Sequence, residues 1–252
     1  MTGNRLPVVV EVCVDSVASA VAAERGGATR VELCGGLSEG GVTPSAGTIE
    51  MTRAAISIPM HVMIRPRSGD FCYDSNEFET MRRDITLAAR LGANGVVFGI
   101  LDLHGKIDIT RTRQLVDLAP PLSVTFHRAF DMTADLARAL EDVISTGADR
   151  ILTSGGEFSS LEGREALAEL IKLAHGRIVI MPGGGIGTNN APSLIDETGA
   201  KEIHVGLRTS LPSPMQYRNP RVSMGALQGQ EYHRFVVLEE NVRELCTTLA
   251  KV

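Results

Sequence analysis

A Gly-Ala step recurs at Gly27-Ala28, Gly92-Ala93, Gly147-Ala148 and Gly199-Ala200, each just ahead of a short apolar run. A glycine there can close a helix in a left-handed conformation immediately before a strand begins. The runs so introduced are the second, fourth, sixth and eighth of eight strand candidates: Val8 to Val14, Arg30 to Cys34, Met60 to Arg65, Gly95 to Leu101, Leu122 to His127, Arg150 to Ser154, Arg177 to Met181 and Glu202 to Gly206. Between them the apolar residues step by three and four, as in Phe78, Met81, Ile85 and Ala88 behind the capping box of Asp74 and Glu77. Eight strands, each followed by a helix, predict an α/β chain folded as a single TIM-like (β/α)8 barrel, which commonly takes about 250 residues. A doubly wound open sheet is the alternative with the same alternation.

The expected organisation is one barrel domain over residues 1–252. Residues 1–7 form a short N-terminal arm, and residues 211–230, with Pro212, Pro214 and Pro220, form a long loop. The last helix is expected to carry Phe235, Leu238, Val242, Leu245 and Leu249 on its buried face.

Twenty-five basic against thirty acidic residues leave a net charge of −5, which argues against nucleic acid and anionic membranes as partners. No apolar run approaches the roughly 18 residues of a membrane span, and Val8 to Val10 falls far short of a secretory h-region. A cytoplasmic protein is expected. Four scattered cysteines, at 13, 34, 72 and 246, make no disulfide framework, and a reducing compartment would keep them as thiols.

Parity within the strands separates two faces. Val10, Val12 and Val14 form the helix-facing set of the first strand, which turns Val9, Glu11 and Cys13 inward. By the same argument Glu32, Cys34, His61, Met63, Arg65, Ser123, Thr125, His127 and His204 face the barrel interior. Such interiors are normally filled with branched apolar side chains. Carboxylates, imidazoles and a guanidinium there must pair, because an isolated buried charge is strongly unfavourable. One reading is a structural ion network of Glu11 and Glu32 with Arg65; the other is an active site at the C-terminal ends of the strands.

The loops that follow the strands carry similar chemistry. Arg65-Pro66-Arg67 leads into Gly69-Asp70-Phe71-Cys72-Tyr73, and His127-Arg128-Ala129-Phe130-Asp131 sets a His and an Asp beside an Arg. Glu11, Glu32, Arg65, His127 and Asp131 are the candidates for catalysis, by general acid/base work on a small anionic metabolite. Arg67 and Arg128, with the backbone of Gly183, Gly184 and Gly185 before a helix start, are the candidates for binding its anionic group. Cys13 and Cys34 would lie on neighbouring strands about 4.8 Å apart. They read either as a soft Cu(I) site with Met63 nearby or as two small buried hydrophobes.

Several blocks, in order, carry a resemblance: Glu11-Val12-Cys13, Arg30-Val31-Glu32-Leu33-Cys34, Gly41-Val42-Thr43-Pro44-Ser45, Ile64-Arg65-Pro66-Arg67, Phe126-His127-Arg128-Ala129-Phe130-Asp131, Leu152-Thr153-Ser154-Gly155 and Ser213-Pro214-Met215-Gln216-Tyr217-Arg218-Asn219. Together they resemble the signature blocks of the CutC family over nearly the whole chain. The resemblance implies a cytoplasmic TIM-like barrel, a homo-oligomer, with a role in copper homeostasis and Cu(I) as the bound ion. Cys13 and Cys34, with Cys72 as a further thiol, would be its ligands. The arm Met1 to Pro7 is an addition to the pattern of many bacterial members. Two functions follow as expectations: copper handling, from the resemblance, and acid/base catalysis on a small anionic metabolite, from the residues.

Overall fold

The computed structural model describes residues 8–224 and 229–251. The expected arm, residues 1–7, and part of the expected loop, residues 225–228, lie outside the described residues. All eight expected strands form: β1 (Val9–Val14), β2 (Arg30–Leu33), β3 (Met60–Met63), β4 (Gly95–Phe98), β5 (Ser123–Phe126), β6 (Arg150–Thr153), β7 (Val179–Pro182) and β8 (Glu202–Val205). They make one parallel sheet in the order β7-β6-β5-β4-β3-β2-β1-β8. A parallel bridge from Gly183 to His204 joins its two edges, so the sheet closes into a barrel rather than staying open.

Helices α1 (Val17–Gly26), α2 (Ala46–Ala55), α3 (Ser75–Arg90), α4 (Ile109–Leu118), α5 (Leu136–Thr146), α6 (Arg164–Ala174), α7 (Ala191–Thr198) and α8 (Glu239–Leu249) pack around it. At the start of α3 both halves of the capping box form, the Glu77 N–H donating to Asp74 Oδ1 and the Asp74 N–H to Glu77 Oε2, each at 2.8 Å. Gly27 and Gly147 close α1 and α5 at φ 99° and 87°, the left-handed conformation that the Gly-Ala steps predict. The outward set Val10, Val12, Val31, Leu33 and Val62 joins helix residues such as Ala20, Met81 and Ile85 in one apolar core.

The far end of the chain departs from the expected pattern. Phe235 lies not in the last helix but in β10 (His233–Val237), which pairs antiparallel with β9 (Arg208–Pro212). Helix α8 starts only at Glu239. A strand that runs into a helix leaves apolar residues at steps of three by coincidence, and Phe235 and Leu238 extended the helical period backwards. Much of the stretch expected as a loop is the tip of this hairpin. Among the described residues no helix is long and apolar enough to cross a membrane.

Inside the barrel, the end nearest the strand starts is filled by ions. The Arg30 guanidinium donates to Glu11 at 2.5 Å and to Glu202 at 2.7 Å, and Arg150 donates to Glu202 at 2.6 Å. Arg30, Arg150 and Glu202 are first residues of their strands, so they carry the inward parity one step further down. Opposite charges there satisfy one another, which is the condition for burying any of them.

This packing predicts unequal penalties for equally short ion pairs. Arg30→Met should lower the free energy of unfolding by about 3–5 kcal/mol, the range for stripping one partner from a buried pair. Arg177→Met breaks an exposed pair with Glu141 at 2.7 Å and should barely move the urea midpoint. Arg150 and Arg30 outweigh burial and hold Glu202 below the usual carboxylate range, and Glu11 is likewise depressed. Their contribution to stability should therefore be complete above about pH 4.3, the unfolded value, and fade as pH falls through the lower folded values.

Candidate functional site

At the opposite end, where the strands finish, a cavity of about 140 Å³ opens at the barrel mouth. Its floor and one wall come from Cys13 on β1, Glu32 on β2, Cys34 just beyond it, Met63 on β3 and His204 on β8. The other wall holds Arg65, Phe71, His127 and Arg128, all from segments that follow strands. Inward parity explains the first group: Cys13 and Glu32 are register partners across β1 and β2, and Cys34 lies one pleat above Glu32.

The two thiols meet, with Cys13 Sγ 3.8 Å from Cys34 Sγ. Cys34 Sγ also lies 3.3 Å from Glu32 Oε2. His204 Nδ1 lies 2.7 Å from Glu11 Oε1, and its Nε2 lies 3.8 Å from Glu32 Oε2. Ligand atoms of Cys13, Glu32 and His204 fall within 4.8 Å of one another.

Burial alone would raise Glu11, yet Arg30, His204 and His61 hold it ionised, far below the usual carboxylate range. Burial likewise opposes a charged His204, but Glu32, Cys13 and Glu11 raise it well above 6.5, so it is an imidazolium at neutral pH. The hydrogen bond from Cys34, helped by His204, pulls Cys13 down to about 5 against burial. The same bond, together with burial and the charge on Cys13, pushes Cys34 well up. The pair thus shares one negative charge, as a thiolate with a thiol donating to it. Burial and the Cys13 charge raise Glu32. Glu11, Arg30, His204 and one thiolate sum to zero.

The other imidazoles are neutral. Burial lowers His61 to about 4. Burial and then the Arg65 charge lower His127 to about 3. His127 Nδ1 accepts the Ala129 N–H at 3.2 Å, so its proton sits on Nε2. Strand β4 makes room for both rings: a Cβ on Gly95 would meet the His61 ring at 2.5 Å, and one on Gly99 would meet His127 Nδ1 at 2.6 Å.

Six of the residues singled out from the sequence therefore line one cavity: Cys13, Glu32, Cys34, Arg65, His127 and Arg128. Glu11 sits beneath it, behind His204, and does not pair with Arg65. Asp131 faces away into the backbone after β6, accepting from Thr153 Oγ1, the Ser154 and Gly156 N–H groups and Arg128. Arg67 is tied to Glu77 and Asp70 outside the cavity. The Gly183 N–H donates to Thr153 O at 2.9 Å within the barrel, and the Gly184 carbonyl accepts from the Ser160 N–H. The bare Cα of Gly184 leaves space for Arg128, whose Nη1 would lie 3.3 Å from a Cβ there. Arg30 was not foreseen, although alternation extended down from Glu32 marks it; Phe71 had no periodic signal to reveal its role.

A model of the CutC family matches residues 8–209. The human "Copper homeostasis protein cutC homolog" is 50% identical over 237 residues, covering 94% of this chain and 87% of the human protein. A solved CutC structure from Streptococcus agalactiae superimposes with a TM-score of 0.75 at 33% identity, covering 78% of this chain and 97% of that one. Thiamine phosphate pyrophosphorylase from Pyrococcus furiosus, at 17% identity and a TM-score of 0.58, shares the barrel alone over 97% of this chain and 96% of that one. Matched by the family model over most of its length and half identical to the human protein, the chain belongs to the CutC family.

Proposed function

We propose that the site takes up Cu(I) through Cys13 and Cys34, as part of a role in copper homeostasis in a reducing cytoplasm, with the protein assembled as a homo-oligomer. The observation that carries the reading is a buried pair of thiols 3.8 Å apart. Two metal–sulfur bonds of about 2.3 Å spanning that distance enclose an angle of roughly 110°, which leaves a third position open. Met63, a soft thioether on the same cavity wall, is the natural occupant. Glu32 and His204 also reach this space, their ligand atoms and that of Cys13 lying within 4.8 Å of one another, but they would favour a harder ion than the paired thiols do. The names of the curated relatives support copper as the cargo.

Cys13→Ser and Cys34→Ser should each weaken Cu(I) binding by more than about 100-fold, beyond the range for losing an outer-sphere partner. Cys72→Ser and Cys246→Ser should leave it unchanged, since neither residue lines the cavity. An anaerobic competition against a chromogenic Cu(I) chelator reads both effects, and equal affinities across the four variants would refute the thiol site. Binding must also displace the proton of Cys34. Affinity should rise by about tenfold per pH unit between pH 6 and 8.

The Cys13 thiolate depends on the imidazolium beside it. In apo protein, alkylation by iodoacetamide should follow a thiolate that forms near pH 5, and His204→Gln should move that midpoint up toward the ordinary cysteine value of about 8.5. Rate profiles that coincide for the two proteins would dissociate His204 from the thiols.

A further inference from the structure

Three arginines stand at or beside the mouth, and they differ in what neutralises them. Arg67 has Glu77 and Asp70, and Arg128 has Asp131 at 2.7 Å. Arg65 has no carboxylate within ion-pair distance among the described residues, although it is only 6% exposed. Its Nη atoms donate to the backbone carbonyls of Glu39, Gly41 and Gly69; its Nε meets no acceptor in good geometry, although the buried Tyr73 hydroxyl lies beside the guanidinium. Carbonyl dipoles solvate a buried guanidinium but do not cancel its charge, and an uncancelled buried charge is unfavourable.

A second donor lies beside it. With Nδ1 accepting from Ala129, the neutral ring of His127 must present N–H at Nε2, and that buried atom is also without a partner. Arg65 and His127 pack against the same ring, Phe71, at 5.0 and 4.9 Å from its centre. Both line the cavity. A buried donor is expected to find an acceptor, so two such orphans on one wall describe a missing ligand.

We propose that this wall binds a small organic monocarboxylate, its oxygens accepting from Arg65 and His127 and its remaining atoms turned toward the thiols. One guanidinium and one neutral imidazole match a single negative charge. A dianion such as phosphate would bring a second charge with no second free cation to meet it, since Arg67 and Arg128 are already paired with carboxylates. The cavity, at about 140 Å³, holds roughly four or five waters at about 30 Å³ each, which suits an acid of three or four carbons. Gly40 and Gly41 run past both ends: a Cβ on Gly40 would lie 3.3 Å from Arg65 Nη1, and one on Gly41 would lie 3.3 Å from Cys34 Sγ. The inference goes beyond copper uptake and does not depend on it.

The test is a calorimetric titration of copper-free protein with sodium pyruvate, with pyruvamide as its neutral isostere and with inorganic phosphate. Pyruvate should bind saturably, and the other two at least about tenfold more weakly, the effect of losing a charge-assisted hydrogen bond. His127→Asn keeps an acceptor for the Ala129 N–H and removes only the Nε2 donor, so it should fold, as circular dichroism would verify, and lose about tenfold in pyruvate affinity. Arg65→Lys should lose more; if the loop carbonyls leave it unfolded, His127→Asn still carries the test. No saturable binding of pyruvate, pyruvamide or phosphate binding as well as pyruvate, or unchanged affinity in His127→Asn overturns the proposal. Because no copper is present in the titration, any of these results leaves the Cu(I) reading intact, and failure of Cu(I) binding leaves this one intact.

Discussion

The carboxylate of Glu11 is the interaction on which the barrel interior turns. It has no contact with solvent, and it receives Arg30 from β2 and His204 from β8, with the His61 ring from β3 3.7 Å away. Four strands are thereby held to one charge. Glu32 and Cys13, joined by this charge, raise His204, and the Cys34 hydrogen bond, helped by His204, lowers Cys13. The ion cluster low in the barrel and the sulfurs at its mouth are thus electrostatically linked.

Above that cluster the cavity has two unlike ends. The thiols and Met63 are soft, polarizable and poor hydrogen-bond partners, whereas Arg65 and His127 are hard donors. A metal that prefers sulfur has no use for the second end, and an oxygen ligand has little for the first. The narrow backbone of Gly40 and Gly41 keeps the two within reach of each other.

Much of this could be read from the chain because a strand repeats every two residues. Once Val10, Val12 and Val14 are assigned to the helices, Glu11 and Cys13 can face only inward, and the same holds for Glu32, Cys34, His61 and His127. Arg30, Arg150 and Glu202 obey the same rule, but they are first residues of their strands, where sequence alone does not separate strand from preceding turn. Arg67 and Asp131 lie in loops, which have no period; their partners are set by local turns that only coordinates reveal. Phe235 was misassigned for a related reason, since the edge between β10 and α8 mixes the two periods.

Strand β4 and the residue after it carry two glycines, and their neighbours depend on that. Gly95 and Gly99 surrender the volume that His61 and His127 occupy, so each imidazole is fitted partly by a side chain that is absent from another strand. The size of residue 95 and that of residue 61 are then one quantity divided between two positions, as are those of 99 and 127. In a lineage of such barrels these positions can change only as pairs, and a bulky residue on β4 would mark a member that has given up the ring opposite.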